Sequence, residues 1–459
     1  MAQGPTIDAI SGLDMARLSA LIKAETDQFH RNRPKSAALL ERARKVMPDG
    51  VPMAWMVGLY DHLPPFFTGG QGAQLIDADG HSYIDFNLCD LSNTVGYGDT
   101  PPARAIARAA MIGPQALLPT EASITLAERL AERTGMPFWQ HTVSASSAIT
   151  EVFRIARVMT AKPKVVMFHG GYHGHIDQTM VVPGADGTAE AFSLGLAPNL
   201  TRDTIPLPFN DLDALREALA PSDVGVVIAE PAMTNCGLVL PDPGFLEEAC
   251  RLSRAAGAIY VLDETHTWQM AYGGFKQQMR LECDVMILGK GLGSGIALGL
   301  YGMTEPIAGW LAAHHDGSAS GQMGIATGGT LYGNPLSTAA ALAMLDEVQT
   351  EPAYARIATL GNRLSDGIDT LIASHSLPWR AFRYGPRSGF CLTPDFPRNG
   401  TQAAASTHRP FTAARRVFLA NRGIWDAIWS AGPQVGFAHD EADIDRYLSV
   451  ASDFLDQVT

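Results

Sequence analysis

A lysine and an aspartate that follow two strand-like runs are the residues of this sequence best suited to chemistry. Asp263 comes directly after the run Ile259–Leu262, and Lys290 stands between two glycines just after Val285–Leu288. We expect partial desolvation of the lysine to lower its pKa and to free an amine that condenses with carbonyl compounds. A nearby carboxylate keeps a pyridine nitrogen protonated, so this pair predicts a pyridoxal phosphate (PLP) site.

Two further features fall at the ends of predicted elements. The run Ser144-Ala145-Ser146-Ser147 opens a helix, where main-chain N–H groups and hydroxyls hold a phosphate dianion. Taken alone, it also fits an ordinary serine N-cap. Tyr172, in a glycine-containing loop after the run 165–168, is predicted to cover an aromatic ring, and a packed core tyrosine is the alternative.

The elements that position these residues alternate between strands and helices from about residue 120 to 335. Buried β-branched runs separated by helices predict a mostly parallel sheet with crossover helices, with ligands beyond the carboxyl ends of the strands. The predicted strands are 165–168, 224–229, 259–262 and 285–288, and the predicted helices are 122–134, 147–160, 211–219 and 243–257.

The two ends of the chain have different patterns. Residues 13–47 have helical spacing of apolar positions, and 74–86 predict a hairpin that turns at Asp79-Gly80. The last 110 residues predict a smaller α+β region. Its helices are placed at 353–374, 409–421 and 440–457, and its strands at 379–384 and 388–393.

Composition excludes several classes of protein. The 459 residues are 46% hydrophobic, which excludes disorder, and carry a net charge of −13 without a basic cluster, which argues against nucleic-acid and membrane binding. The five scattered cysteines form no C-x-x-C pair, which argues against disulfides and a zinc site. The N-terminus lacks a signal-peptide core, and the longest uncharged apolar run (291–304) is too short to span a membrane. We therefore expect a soluble, cytoplasmic protein without a metal.

The chain resembles the class III PLP-dependent aminotransferases, nearest to the glutamate-1-semialdehyde aminomutase branch. The resemblance covers about residues 40–457. It implies a PLP-dependent transferase fold of the aspartate-aminotransferase type, with a large α/β domain and a smaller α+β domain. The motifs that carry it are Val46-Met47-Pro48-Asp49-Gly50-Val51, Asp77-Ala78-Asp79-Gly80, Tyr83-Ile84-Asp85, Phe168-His169-Gly170-Gly171-Tyr172-His173-Gly174-His175, Glu230-Pro231, Asp263-Glu264-Thr265, Gly289-Lys290, Gly329-Thr330-Leu331-Tyr332-Gly333-Asn334-Pro335 and Ala438-His439.

The resemblance also implies roles for single residues. Lys290 would form the Schiff base with PLP and carry the proton, and Asp263 would pair with the pyridine nitrogen. Tyr172 would cover the ring, and Thr265 would back it. Thr330 would reach the phosphate of a neighbouring subunit, which implies a homodimer with a shared active site. The residues that would hold the phosphate within the subunit are Ala145 and Ser146.

The same resemblance implies three regions. Residues 1–75 would be an N-terminal helical segment that contributes to the small domain and the active-site entrance. Residues 76–335 would form the large PLP-binding α/β domain, and residues 336–459 the C-terminal small α+β domain.

Departures from the family motifs bear on cofactor and substrate binding. The family's Ser-Gly-Thr-Glu-Ala reads Ser144-Ala145-Ser146-Ser147-Ala148, which lacks a glycine and the glutamate, and His266 stands where Gln or Met is frequent. His266 is interpreted either as a donor to the cofactor's phenolic oxygen or as a packed histidine. Met56 replaces the arginine that clamps a substrate carboxylate, a task that requires a guanidinium.

The predicted substrate pocket is therefore apolar. The residues proposed to line it are Trp55, Met56, Trp425 and Trp429, together with Ile428. The alternative is that these side chains simply pack in the core. Arg383 or Arg387 is interpreted either as a second carboxylate ligand or as a surface charge.

These observations predict a PLP-dependent aminotransferase that works by a ping-pong Schiff-base mechanism. It would move an amino group between an amine or amino-acid donor and a carbonyl acceptor, with an apolar or aromatic substrate. The alternatives with the same cofactor are an aminomutase of the glutamate-1-semialdehyde type and an amino-acid racemase. A nicotinamide oxidoreductase built on the glycines of 289–295 would leave Lys290 unexplained. A binding protein with an inactive aminotransferase fold is disfavoured because Lys290 and Asp263 are both present.

Overall fold

The computed structural model of this protein describes residues 10–185, 187–314, 324–428 and 432–459. The chain divides into two compact units. The first unit comprises Pro101–Glu351 and Pro397–Ala403. The second comprises residues 10–100, Pro352–Phe396 and Ala404–Thr459.

Helices and strands are equally numerous in the described part of the chain. The helices are α1 (Met15–Arg31), α2 (Pro34–Ala43), α3 (Pro101–Ile112), α4 (Glu121–Thr134), α5 (Ala145–Thr160), α6 (Leu200–Asp203), α7 (Leu212–Leu219), α8 (Phe245–Ala255), α9 (Gly274–Gln278), α10 (Glu305–His314), α11 (Pro335–Ala343), α12 (Glu351–Ser374), α13 (Gly400–Ala405), α14 (Arg409–Ala420) and α15 (Glu441–Val458). The strands are β1 (Phe67–Gln71), β2 (Gln74–Asp77), β3 (Ser82–Asp85), β4 (Phe138–Thr142), β5 (Lys164–Phe168), β6 (Val181–Pro183), β7 (Ala189–Ala191), β8 (Thr204–Leu207), β9 (Val224–Ala229), β10 (Ile259–Asp263), β11 (Val285–Leu288), β12 (Gly299–Met303), β13 (Arg380–Tyr384), β14 (Arg387–Cys391) and β15 (Ile424–Trp425). None of these helices combines the length and the apolar character that a bilayer crossing needs.

A seven-stranded sheet forms the centre of the first unit. Its strand order is β4-β12-β11-β10-β9-β5-β8. The strands from β11 to β8 are parallel to their neighbours, and β12 is antiparallel to both β11 and β4. Successive residues of β9 face opposite cores: Val226 and Ile228 pack into one cluster, and Val227 and Ala229 into the other. The sheet is therefore buried on both faces, which explains why its central strands read as continuous apolar runs.

The predicted elements of this sheet are confirmed. The four predicted strands correspond to β5, β9, β10 and β11, and the four predicted helices to α4, α5, α7 and α8. The strands β4, β8 and β12 were not predicted. In β12, the sequence Gly-Leu-Tyr-Gly-Met carries two glycines, which weaken the strand signal, and pairing on both sides compensates.

The second unit contains a four-stranded sheet, β1-β2-β3-β15, and the hairpin β13-β14. The predicted hairpin over 74–86 is confirmed as the antiparallel pair β2-β3, and Gly80 has φ +92° in its turn. Residues 13–47 form two helices because Pro34 begins α2, and the residue before a proline is disfavoured in a helix. The predicted helices and strands of the last 110 residues are confirmed as α12, α14, α15, β13 and β14.

The observed boundaries of the units differ from the expected regions. Residues 76–100 belong to the second unit, because β3 pairs in parallel with β15, which lies more than 300 residues further along the chain. Residues 336–351 belong to the first unit, where α11 packs on α3 and α4. The contribution of residues 1–75 to an active-site entrance stays a prediction.

Candidate active site

The carboxyl ends of two neighbouring parallel strands bring Asp263 and Lys290 to one edge of the central sheet. Asp263 is the last residue of β10 and pairs in register with Ile287 of β11. Lys290 follows β11 by two residues and is partly buried. Strand pairing therefore places the predicted carboxylate at the end of one strand and the predicted amine just beyond the end of its neighbour, at the same rim.

Asp263 is a buried carboxylate with three hydrogen bonds to its oxygens. His173 donates from Nδ1 to Oδ2 over 2.9 Å, and Thr265 donates to Oδ1 from its main-chain N–H (3.1 Å) and its hydroxyl (2.5 Å). Burial by itself raises the pKa of Asp263, but the hydrogen bonds and the His173 charge outweigh it, and the net pKa lies below the usual range. Asp263 is therefore ionised at neutral pH and suited to a cationic ring nitrogen.

Lys290 occupies an unusual main-chain conformation. Its φ of +47° lies in the left-handed region, which costs a non-glycine residue roughly 1–2 kcal/mol. Both flanking glycines are closely packed. A Cβ at Gly289 would lie 3.3 Å from the Cβ of Ala145, and one at Gly291 would lie 2.5 Å from the side chain of Gln269. Gly289, directly before the lysine, therefore lies next to the start of α5.

The N-terminus of α5 has the geometry of an anion site. Ser144 is the N-cap, and its Oγ accepts the N–H of Ser147 over 3.1 Å. Ser146 Oγ accepts the N–H of His175 over 2.9 Å, which joins the helix to the loop after β5. First-turn N–H groups of a long helix favour a phosphate. The structure places Ala145 next to Gly289, and the role of Ala145 and Ser146 in holding a phosphate stays a prediction.

The loop after β5 also carries Tyr172 and His173. The main-chain N–H of Tyr172 donates to Glu230 Oε1 over 2.7 Å, and the Tyr172 ring is 44% exposed. Glu230 follows β9 and is buried, and burial raises its pKa to about 7 while the charge of His173 opposes the rise. Glu230 therefore ties Tyr172 to the sheet, and the ring keeps an open side.

Three residues of this site were missed as site residues by sequence reasoning. His173 and Glu230 occur in the motifs Phe168–His175 and Glu230-Pro231. Glu230 directly follows a buried strand, and His173 lies in the loop after another strand, which was the available signal. Thr234 carried no such signal. Its Oγ1 lies 2.6 Å from Nδ1 of the buried His266. Thr234 thus anchors the histidine for which two interpretations were open.

Thr330 is exposed in the first unit. Its carbonyl accepts the Nε2 amide of Gln115 over 2.8 Å. The predicted contact of Thr330 with a second subunit stays a prediction.

The predicted substrate residues lie in the second unit. Trp55 is 47% exposed, and Met56 packs against a small cluster of Leu59, Ala427 and Ile428. Trp425 is buried, with its ring centroid 5.2 Å from that of Tyr60. Trp429 lies outside the described residues. The role of these side chains in binding substrate stays a prediction.

The two arginines considered for a carboxylate differ in environment. Arg383 is half-exposed and pairs with Asp366 at 2.8 Å and Asp369 at 2.5 Å, as expected of a surface charge. Arg387 is buried in β14.

The described donor set fits PLP. An ionised buried carboxylate, an amine on the adjacent strand and a helix N-terminus correspond to the pyridine nitrogen, the aldehyde and the phosphate of that cofactor. The buried Nε2 of His173 has no hydrogen-bond partner among the described residues. His173 therefore acts on Asp263 through Nδ1 alone.

Comparisons with known proteins agree with this chemistry. Residues 58–383 match the family model described as aminotransferase class-III. A glutamate-1-semialdehyde 2,1-aminomutase of Symbiobacterium thermophilum is 32% identical over 440 residues, which cover 92% of this chain and 98% of the relative. Among solved structures, a glutamate-1-semialdehyde aminomutase from Pseudomonas aeruginosa PAO1 in complex with PMP is similar, with a TM-score of 0.92 and 33% identity over 98% of this chain and 100% of that one. An omega-transaminase from Sphaerobacter thermophilus has a TM-score of 0.83 and 26% identity over 92% of this chain and 97% of that one.

Proposed function

Because this chain belongs to the class III aminotransferase family, whose cofactor is PLP, we propose that it transfers amino groups with Lys290 and Asp263 as its catalytic residues. The observation that carries the proposal is the buried, ionised Asp263 on the strand next to Lys290. A buried carboxylate that is held ionised at a strand end beside a lysine is the arrangement expected of a functional site.

When bound, PLP supplies an aldehyde that takes up an amino group and a ring that accepts electron density from the substrate carbon. Lys290 would bind that aldehyde through Nζ and afterwards hold and move a proton at the same atom. Asp263 would bind the ring nitrogen and keep it protonated. Tyr172 would lie on one face of the ring and Thr265 at the other. The N-terminus of α5, at Ala145 and Ser146, would hold the phosphate.

The first candidate reaction moves an amino group within one substrate, as an aminomutase does. The Symbiobacterium thermophilum relative and the P. aeruginosa structure support it, since both are glutamate-1-semialdehyde aminomutases and match more than nine-tenths of this chain. The predicted donor–acceptor transamination is then the second candidate.

Met56 favours this second candidate. The side chain packs with Leu59, Ala427 and Ile428, and a thioether cannot bind a carboxylate through paired hydrogen bonds. An amine donor without a carboxylate, with a separate ketone or aldehyde acceptor, would need no such clamp. The omega-transaminase among the similar structures is consistent with that chemistry.

One experiment separates the two candidates. The purified protein is incubated with glutamate-1-semialdehyde alone, and then with a panel of amine donors with and without pyruvate or an aromatic ketone. Turnover of glutamate-1-semialdehyde without an added acceptor supports the aminomutase. Turnover of an amine only when a carbonyl acceptor is present supports the transaminase. The Lys290→Ala variant is the control, and normal turnover by this variant would refute the proposed function.

We further propose a cytoplasmic homodimer. Large apolar side chains are strongly exposed on the first unit, and such surfaces mark interaction sites. They are Met111, Ile112, Leu117, Leu118, Ile124 and Leu331. Gln115 lies in sequence between Ile112 and Leu117, and its side chain donates to the carbonyl of Thr330. The apolar surface is therefore next to the residue predicted to reach a second subunit. All five cysteines are free thiols, which suits a reducing compartment.

A further inference from the structure

A buried glutamate in the middle of α5 holds a loop of the first unit through its main chain. Glu151 is 5% exposed. Its Oε1 accepts the N–H of Gly328 over 2.6 Å, and its Oε2 accepts the hydroxyl of Tyr301 over 3.0 Å. Arg154, three residues on, donates to the carbonyl of Ala326. Two side chains of α5 therefore bind the segment 326–328: Glu151 at a main-chain N–H and Arg154 at a main-chain carbonyl.

These contacts are strong enough to order the segment. A buried carboxylate is costly unless it is hydrogen-bonded, and bonds to an ionised group are stronger than those between neutral groups. Burial and the charge of Glu151 raise the pKa of Tyr301 above its usual range, so the tyrosine remains a donor. Gly328 has φ +97°, and it is exposed together with Gly329. Glycines have high conformational freedom, so the bond from Gly328 to Glu151 restrains a segment that would otherwise vary in conformation.

The anchored segment leads directly to Thr330. The carbonyl of Thr330 is held by Gln115, and that of the next residue, Leu331, by the Nδ2 amide of Asn334 over 2.9 Å. Hydrogen bonds therefore fix the chain on both sides of Thr330. Glu151 binds residue 328 before it, Gln115 binds Thr330 itself, and Asn334 binds the residue after it. The hydroxyl of Thr330 takes no part in these bonds.

Glu151 lies on the same helix, α5, as the predicted phosphate-binding residues Ala145 and Ser146. The family motif has a glutamate at the position of Ser147, and here a glutamate occurs four residues later. Residues four apart lie on the same face of a helix, one turn from each other. The helix whose N-terminus is predicted to hold the phosphate of its own subunit thus also anchors the loop that carries Thr330.

We propose that Glu151 is a positioning residue: by binding Gly328 it holds Thr330 in place to contact the PLP phosphate of a second subunit. This inference rests on the proposed function. It predicts that Glu151 affects cofactor affinity through Thr330, without touching PLP itself.

The test is a double-mutant cycle on PLP affinity. Apoenzyme of the wild type, Glu151→Ala, Thr330→Ala and the double variant is titrated with PLP, and the dissociation constant is read from the absorbance of the bound cofactor. We expect each single variant to bind PLP about tenfold more weakly, as for the loss of a hydrogen bond to a charged group. The double variant should bind no more weakly than Thr330→Ala, because the two changes remove the same contact.

Three controls separate positioning from general stability. Glu151→Gln keeps an acceptor for Gly328 and should retain wild-type affinity within about twofold. Tyr301→Phe removes the hydroxyl that donates to Glu151 Oε2. This variant should have a lower melting temperature and a nearly unchanged PLP dissociation constant. If Glu151→Ala does not fold, Glu151→Met, of similar length and without the carboxylate, replaces it in the cycle.

Additive effects in the double variant, an unchanged PLP affinity in Glu151→Ala, or no effect of Thr330→Ala would each overturn the inference. Loss of the wild-type oligomeric mass in Glu151→Ala would overturn it too. Failure of the proposed function is recognised separately, because wild type and Lys290→Ala would then bind PLP with the same absorbance spectrum.

Discussion

The bond between His173 and Asp263 decides the charge of the candidate site. Both side chains are almost fully buried, and a buried carboxylate without a partner takes up a proton. His173 and Thr265 reverse this tendency and lower the pKa of Asp263. The ionised state is therefore built into the protein before any cofactor binds.

Replacing the charge at this position is expected to abolish most of the activity. In Asp263→Asn the side chain keeps nearly the same shape but offers no negative charge to a protonated ring nitrogen. We expect kcat to fall by about 100- to 1,000-fold, the size typical of a lost electrostatic contact in an active site. Steady-state kinetics measure the effect, and circular dichroism verifies the fold.

The matched control is Asp213→Asn. This aspartate is 89% exposed and pairs with Arg216 on the surface. Surface pairs contribute little, so kcat should stay within about twofold. An unchanged kcat in Asp263→Asn would contradict the pairing of Asp263 with the cofactor.

At the scale of elements, close approach between α5 and the loop after β5 defines the phosphate end of the site. Gly174 has φ +88°, and a Cβ there would lie 2.3 Å from Ser146 Oγ. The loop can therefore reach the N-terminus of α5 only because residue 174 has no side chain. The N–H of His175 completes the contact.

A methyl group at this position should weaken cofactor binding. In Gly174→Ala, we expect displacement of Ser146 and a rise of about tenfold in the PLP dissociation constant, since overpacking costs roughly 1–3 kcal/mol. PLP titration of the apoenzyme measures this rise. Gly195→Ala is the control: Gly195 has φ +83° but open space around its Cβ position. The Gly195→Ala variant should therefore have the same left-handed backbone strain as Gly174→Ala but an unchanged PLP dissociation constant. Equal affinity in both variants would show that Gly174 does not shape the phosphate site.

At the scale of the whole molecule, the exposed apolar surface around residues 111–124 is the surface expected to form the dimer interface. Ile112 is 90% exposed and Leu118 is 70% exposed, while the Thr330 segment lies beside them through Gln115. Burial of one such side chain contributes about 1.5–3 kcal/mol, and in a symmetric dimer every contact occurs twice.

A charge on this surface should separate the subunits. For Leu118→Asp, we expect the dimer dissociation constant to rise at least about 100-fold, and PLP affinity to fall with it. Sedimentation equilibrium at several protein concentrations measures the change. Val46→Asp changes an apolar side chain that is 80% exposed in the second unit and should leave the mass unchanged. A dimer of wild-type strength in Leu118→Asp would place the interface elsewhere.

The sequence by itself determined the parts of this protein that depend on local pattern. Buried runs such as 224–229 and 285–288 predict parallel strands because both faces of the sheet are covered, and residues attached directly to strand ends must lie at the rim. The sequence alone therefore predicted that Asp263 and Lys290 lie at the same rim, and their roles stay a proposal.

Only the tertiary structure decided which distant groups meet. His173 contacts Asp263 across 90 positions of sequence, Glu151 contacts Gly328 across 177, and β3 pairs with β15 at the far end of the chain. Neither helical nor strand periodicity carries information about such separations, because these contacts depend on how the elements pack and not on the spacing of neighbouring residues.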